Sequence, residues 1–274
     1  MVSQEQRRRQ LAREKFLRQQ QRRTSARRKA RMRNSVIASV LGVIVIGSVA
    51  LYTTGVLKNN DDKANASSET TPSASASPSK APDPCAKAAA GSVKKLSWKK
   101  EPAMTIDTSA GYTMKLATTC GDIGIALKTS AAPHTVNSFD FLAAKGFFDH
   151  TKCHRLTTNG IYVLQCGDPT GTGSGGPGYT IPDENLKDKS LKGGVYPAGT
   201  VAMANTGQKH TGGSQFFLVY QDSQLPPSYT PFGTIDAAGM KVLKKIAAAG
   251  ESTGQGDGAP NATVVINKAT VTKS

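Results

Sequence analysis

The chain has 274 residues, 38% of them apolar, and a formal net charge of +16. That length holds one domain of ordinary size and something more, and the low apolar share excludes a chain that packs throughout. Residues 1–34 carry 13 of the 35 Lys and Arg against Glu5 and Glu14 alone, a net of +11, so the basic character belongs to an arm and not to a fold. The arm lacks the aromatic interleaving of a base-stacking surface, and no nucleic-acid partner is expected. Residues 35–57 are 23 uncharged residues between Arg33 and Lys58. A helix needs about 20 such residues to cross a bilayer, so a single transmembrane helix is predicted. Ser48-Val49-Ala50 imitates a cleavage site, and processing there is the alternative, but the run is long and the basic region exceeds that of a leader. The Lys and Arg bias puts the N-terminus in the cytoplasm and residues 58 onward outside, a single-pass protein of the cell membrane.

Residues 58–84 are rich in Ser, Ala and Pro and nearly free of large apolar groups; they predict a disordered linker. A folded domain follows at 85–274, with Cys85 and Trp98 as its first anchors and a core at about 103–274. Met114 to Lys128 alternates around Cys120-Gly121-Asp122 and predicts a β-hairpin. From Pro133 to Phe148 the apolar residues recur at helical spacing, with Thr135 as cap and Gly146 as stop. Short strands follow at 153–157, 161–167, 199–205, 214–220 and 231–235, then a helix at 237–248 and a closing strand at 262–271. Many short strands and two helices predict a mostly β, closed antiparallel barrel capped by helices.

Four cysteines, Cys85, Cys120, Cys153 and Cys166, lie beyond the predicted span, where disulfides persist; three connectivities are open. No CxxC or HxxxH pairing supports a metal site. Gly171 to Gly176 satisfies GxGxxG, but Pro177 and Pro182 forbid the helix that a dinucleotide site requires. Ser214 has no hydrolase frame around it.

Three blocks remain: Cys153-His154-Arg155-Leu156, Leu164-Gln165-Cys166-Gly167-Asp168-Pro169 and Gly213-Ser214-Gln215-Phe216-Phe217. With Met203-Ala204-Asn205 and Tyr229-Thr230-Pro231-Phe232-Gly233, their order and approximate spacing resemble the cyclophilin family over residues 103–274. The resemblance implies an eight-stranded antiparallel barrel with two helices, and peptidyl-prolyl cis–trans isomerase activity on proline-containing polypeptide clients, with no cofactor and no metal. It implies Arg155 as the catalytic cation and Gln165 as its orienting partner. By the same correspondence Tyr162, Val163, Phe217, Leu225 and Tyr229 wall the proline slot, Ala204 and Asn205 hold the substrate backbone, and Gln215 binds a peptide carbonyl. Cys153 and Cys166 then sit on adjoining strands of one hairpin, a reasonable disulfide pair that leaves Cys85 with Cys120. His154 is expected on the opposite face from Arg155, buried and hydrogen-bonded. Two features depart from the family pattern. The segment between Arg155 and Gln165 is about two residues longer, which loosens the register of Tyr162 and Val163, and Gln224 stands where many eukaryotic members carry the Trp that grips cyclosporin. The expected whole is a monomeric, membrane-tethered foldase or chaperone acting outside the membrane, with a proline-docking module of little turnover as the rival reading.

Overall fold

A computed structural model describes residues 82–273. The basic arm at 1–34, the predicted span at 35–57 and most of the spacer at 58–84 lie outside the described residues. Among those described, no helix is long and apolar enough to cross a membrane. Packing begins slightly ahead of Cys85, since Asp83 accepts hydrogen bonds from the amides of Cys85 at 3.0 Å and Thr263 at 2.9 Å.

The described residues are mostly β with two α-helices. Strands β1 (Tyr112–Thr118) and β2 (Gly121–Leu127) form the predicted hairpin, and helix α1 (Pro133–Ala144) follows. Then come β3 (Thr151–Lys152), β4 (Arg155–Thr157), β5 (Val163–Cys166), β6 (Val195–Tyr196), β7 (Thr200–Met203), β8 (Phe216–Val219), β9 (Ser223–Gln224) and β10 (Pro231–Ile235). Helix α2 (Ala237–Ala248), β11 (Asp257–Gly258) and β12 (Val265–Lys273) complete the order. Ten strands make one sheet, ordered β11-β4-β5-β8-β7-β10-β2-β1-β12-β3, while β6 and β9 form a separate ribbon.

This corrects the expected closed eight-stranded barrel: the sheet is a curled half-barrel of ten strands, and no ladder joins its end strands β11 and β3 among the described residues. The ends are related by chain continuity instead. Thr151 and Lys152 pair with Ile266 and Val265 of β12, the Cys153 amide still donates to the Val264 carbonyl, and the His154 amide then donates to the Gln165 carbonyl. One segment, 151–157, thus leaves one end of the sheet and enters the other.

Helix α1 packs against β12, and α2 against β2. Phe139 of α1 sits among the rings of Phe148, Phe216 and Phe232, at centroid distances of 5.3, 5.5 and 4.5 Å. The predicted cap of α1 is corrected. Ala132 occupies the N-cap with Pro133 behind it, and Thr135 lies inside the first turn. With no capping side chain at Ala132, a remote carboxylate serves the free amides: Glu184 accepts from the His134 amide at 3.0 Å and from the Thr135 amide and hydroxyl at 2.9 and 2.8 Å. An anion at a helix N-terminus is favourable on both hydrogen-bond and dipole grounds. Gly146 stops the helix as expected, taking φ +70° in the left-handed region where a side chain is strained. Asp236 caps α2, accepting from the Gly239 amide at 2.6 Å.

The strands β5, β8 and β7 are buried on both faces, and the period of two sorts their side chains. Leu164, Cys166, Phe216, Leu218, Val201 and Met203 enter the main core. Val163, Phe217, Val219 and Ala202 emerge on the other face with Tyr196, where Ile161, Leu225 and Tyr229 pack against them. That second face carries the candidate site.

Candidate active site

Arg155 opens β4 directly across from Gln165 on β5, Gln165 faces Phe217 on β8, and Phe217 faces Ala202 on β7. Cross-strand partners share a face, so guanidinium, amide and aromatic ring stand in one row. Arg155 Nη1 donates to Gln165 Oε1 at 3.1 Å. Gln165 Nε2 donates to Gln215 Oε1 at 2.9 Å, and Gln215 Nε2 donates to the Gly175 carbonyl at 2.9 Å.

Asp257 on β11 completes the arrangement and was not foreseen. Its carboxylate accepts from Arg155 Nε at 2.7 Å and Nη2 at 2.8 Å, a planar fork that fixes the guanidinium. The same hydrogen bonds raise the Arg155 pKa above its ordinary value and lower that of Asp257. Arg155 therefore stays a cation throughout the working pH range.

Beside the row lies a cavity of about 520 Å³, lined by Arg155, Gln165, Val163 and Phe217, with Leu225, Tyr229, Ala204 and Asn205 on its other walls. Eight of the ten residues predicted for catalysis and binding thus meet at one place. The Tyr229 ring stands edge-on to Phe217 at 5.4 Å. Fully buried Tyr196 holds the Tyr229 backbone from both sides, donating its hydroxyl to the carbonyl at 2.8 Å and accepting from the amide at 3.2 Å. Burial pushes the Tyr196 phenol up to about 12, so it remains a donor.

Tyr162 is displaced from its expected place. Its ring packs on Tyr220 at 5.8 Å and its amide donates to Ser223 Oγ, while Ile161 lines the cavity. The longer connection between Arg155 and Gln165 allows the Asn159–Ile161 bridge, and alternation beyond it sends Tyr162 the other way. Gln215 lies in the neighbouring cavity of about 1020 Å³, which shares Gln165, Gly173, Ala204 and Asn205 with the first.

His154 also departs from expectation. It lines the smaller cavity, and neither ring nitrogen has a hydrogen-bond partner. The change of partner strands at residues 153–154 ends the alternation from which an opposite face was inferred. Burial lowers its pKa, partly offset by the charge of Asp168, so the ring is held neutral.

The glycine-rich loop is structural. Burial pushes the Asp168 carboxyl up, but donors from Thr170 and the loop amides outweigh it and hold the pKa at about 2. Those donors include the Thr170 amide and hydroxyl at 2.7 and 2.8 Å and the amides of Thr172 and Gly173 at 3.0 and 2.6 Å. Disulfides join Cys153 to Cys166 beside the row and Cys85 to Cys120 at the hairpin turn. Among the described residues no cluster of His, Cys, Asp and Glu could hold a metal ion.

A curled antiparallel sheet thus carries a clamped guanidinium in one cavity with the side chains of Val163, Phe217, Leu225 and Tyr229. The family model of cyclophilin type peptidyl-prolyl cis-trans isomerase/CLD matches residues 113–271, and the chain belongs to that family. It is 52% identical over 165 residues to a probable peptidyl-prolyl cis-trans isomerase B of Mycobacterium leprae, covering 57% of this chain and 56% of that one. The protein of the same description from Mycobacterium tuberculosis is 50% identical over 165 residues, 57% of this chain and 53% of its own. The chain therefore spans about half the length of these curated relatives. A crystal structure of a cyclophilin type isomerase from Cryptosporidium parvum is similar at a TM-score of 0.48 and 26% identity, over 60% of this chain and 99% of that one.

Proposed function

We propose that the described domain is a peptidyl-prolyl cis–trans isomerase that lowers the barrier to X–Pro rotation without a covalent intermediate. The observation that carries this reading is the clamped guanidinium of Arg155 lining the same cavity as the apolar side chains of Val163, Phe217, Leu225 and Tyr229. Amide resonance sets a barrier of about 18–20 kcal/mol. In the twisted state the prolyl nitrogen regains its lone pair and becomes an acceptor, which the planar amide is not. A guanidinium carries five N–H donors. Asp257 and Gln165 take three of them, leaving one on each Nη for the substrate. A donor held in place before the bond twists stabilises the twisted state more than the planar one, and only such differential binding accelerates the reaction. Val163, Phe217, Leu225 and Tyr229 select the proline ring, Ala204 and Asn205 hold the client backbone, and Gln215 reaches it from the adjoining cavity.

The same reading places the domain outside the membrane, tethered by residues 35–57 and acting on secreted or envelope clients. It is supported by the basic arm ahead of that run and by two disulfides in the domain. The test is a protease-coupled rate measurement on an Ala-Pro peptide with the full chain and its Arg155→Ala variant. Isomerisation by the wild type and its collapse in the variant are expected. Equal rates would refute the role of Arg155, and peptide binding without turnover would make the domain a docking module.

A further inference from the structure

Residues 82–111 lie ahead of the segment that matches the family, yet they build one side of the larger cavity. Trp98 fixes this stretch. Its ring stands edge-on to Phe141 at 5.0 Å and tilted to Phe147 at 6.0 Å, and its amide donates to the Pro177 carbonyl at 2.8 Å. Gly178 takes φ +88°, and a Cβ there would lie 2.7 Å from the Trp98 carbonyl oxygen, so the extension rests flush on the glycine-rich loop. Downstream, Asn137 of α1 accepts from the Thr105 amide at 2.9 Å and donates to the Ala103 carbonyl at 3.0 Å.

Between these two anchors, Lys99 and Lys100 stand at the wall of the cavity. Both are exposed, and neither has a hydrogen bond or ion pair among the described residues. Glu101 is the one acid among the residues lining the cavity, and its carboxylate faces His134 Nδ1 at 3.4 Å. The remaining walls are neutral: loop backbone, Gln215, Thr206 and Thr211. Two lysines against the single carboxylate of Glu101, which faces His134, leave this concave wall net positive and attractive to an anion. The cavity shares Gln165, Gly173, Ala204 and Asn205 with the proline slot, so one bound peptide reaches both. An extended chain advances about 3.3–3.6 Å per residue, which puts the larger cavity within a few residues of the proline.

We propose that Lys99 and Lys100 make this cavity a subsite for an acidic side chain, Asp or Glu, within about three residues of the client proline. The inference rests on the isomerase reading for its register but not for its chemistry. Its test compares peptides carrying Glu or Gln at each of three positions on either side of an Ala-Pro bond, with the full chain at low and high salt. At the favoured position the Glu peptide is expected to show a kcat/KM about fivefold higher than its Gln partner at low ionic strength, falling below about twofold at 0.5 M salt. In a Lys99→Gln, Lys100→Gln double variant the ratio falls to about one, whereas Lys268→Gln, an exposed lysine on β12 outside the cavity, retains it. A wild-type ratio near one at every position, or a ratio that survives the double variant, overturns the proposal. Should the full chain turn over no peptide, the isomerase reading fails by itself, and the subsite is read by binding. Fluorescence-anisotropy titration of the same peptides then supports the subsite if Glu binds more tightly in the wild type alone, and overturns it if Glu and Gln bind equally.

Discussion

Replacing Arg155 by Lys separates charge from geometry. The ammonium keeps the positive charge but has three donors on one atom and no planar fork. In the wild type, Nε and Nη2 are held by Asp257 at 2.7 and 2.8 Å and Nη1 by Gln165 at 3.1 Å, so the two free N–H groups have fixed directions. A lysine that keeps both partners has one donor left, on a stem free to rotate. Losing a preorganised donor to a developing acceptor lowers turnover by about 10²–10³. Arg155→Lys is therefore expected to lower kcat/KM about 100-fold, or about 2.7 kcal/mol of transition-state stabilisation. Stability changes little. The side chains of Arg155 and Asp257 are 38% and 55% exposed, and ion pairs so open to solvent contribute under about 1 kcal/mol. The assay is the protease-coupled rate measured beside a thermal melt. A lysine variant within about threefold of the wild type would show that a point charge suffices and that the clamp has no catalytic meaning.

Breaking the disulfides one at a time should cost roughly 3 kcal/mol for Cys153–Cys166 and roughly 4 for Cys85–Cys120, in line with sequence separations of 13 and 35. Melting of Cys→Ala pairs, with and without a thiol reductant, reads both. Glu184→Ala leaves the first turn of α1 without its acceptor and should lower unfolding free energy by about 1–2 kcal/mol in urea titrations. His154 has a folded pKa below its ordinary 6.5, so the unfolded chain binds the proton first and stability declines as pH falls below 6.5. Asp168, at about 2 folded against 3.8 unfolded, adds a second loss as pH falls from about 4 toward 2. Melting temperatures from pH 8 to 3 should show both; Asp168→Asn should flatten the lower limb and, by removing the charge that partly offsets the His154 shift, deepen the upper one. Cyclosporin should bind weakly, because Gln224 is exposed, donates to the Gly193 carbonyl at 2.8 Å and lies outside the residues that line the smaller cavity. Submicromolar affinity by calorimetry would contradict this.

Much of the domain is legible in its sequence because the signals are local. The turn at Cys120-Gly121 announces β1 and β2, and α2 spans Ala237–Ala248 as read, with Asp236 found at its N-cap. The row of Arg155, Gln165 and Phe217 is legible through the ordered blocks that resemble the cyclophilin family, and the β5–β8 register sets Gln165 opposite Phe217. What escaped depends on distance along the chain. Asp257 lies 102 residues from the arginine it clamps, on a two-residue strand too short to have a period. Glu184 caps a helix 49 residues earlier. Tyr162 was assigned to the slot through a connection whose extra length permits a bridge, and a one-residue change of phase turns a side chain to the opposite face. The open sheet escaped because strand counting finds neither the brief β3 and β11 nor the exchange of partners at Cys153 and His154.

That exchange has a consequence for biosynthesis. Thr151 and Lys152, four residues or fewer ahead of Arg155, find their ladder partners in Ile266 and Val265 of β12. Asp257, which aims the guanidinium, likewise emerges from the ribosome about a hundred residues after it. A nascent chain that has not yet reached β11 and β12 has neither the seam that anchors the approach to Arg155 nor the carboxylate that seats it. The row around Arg155 comes together only once β11 and β12 have been made, so a nascent copy that stops short of them lacks the clamped guanidinium.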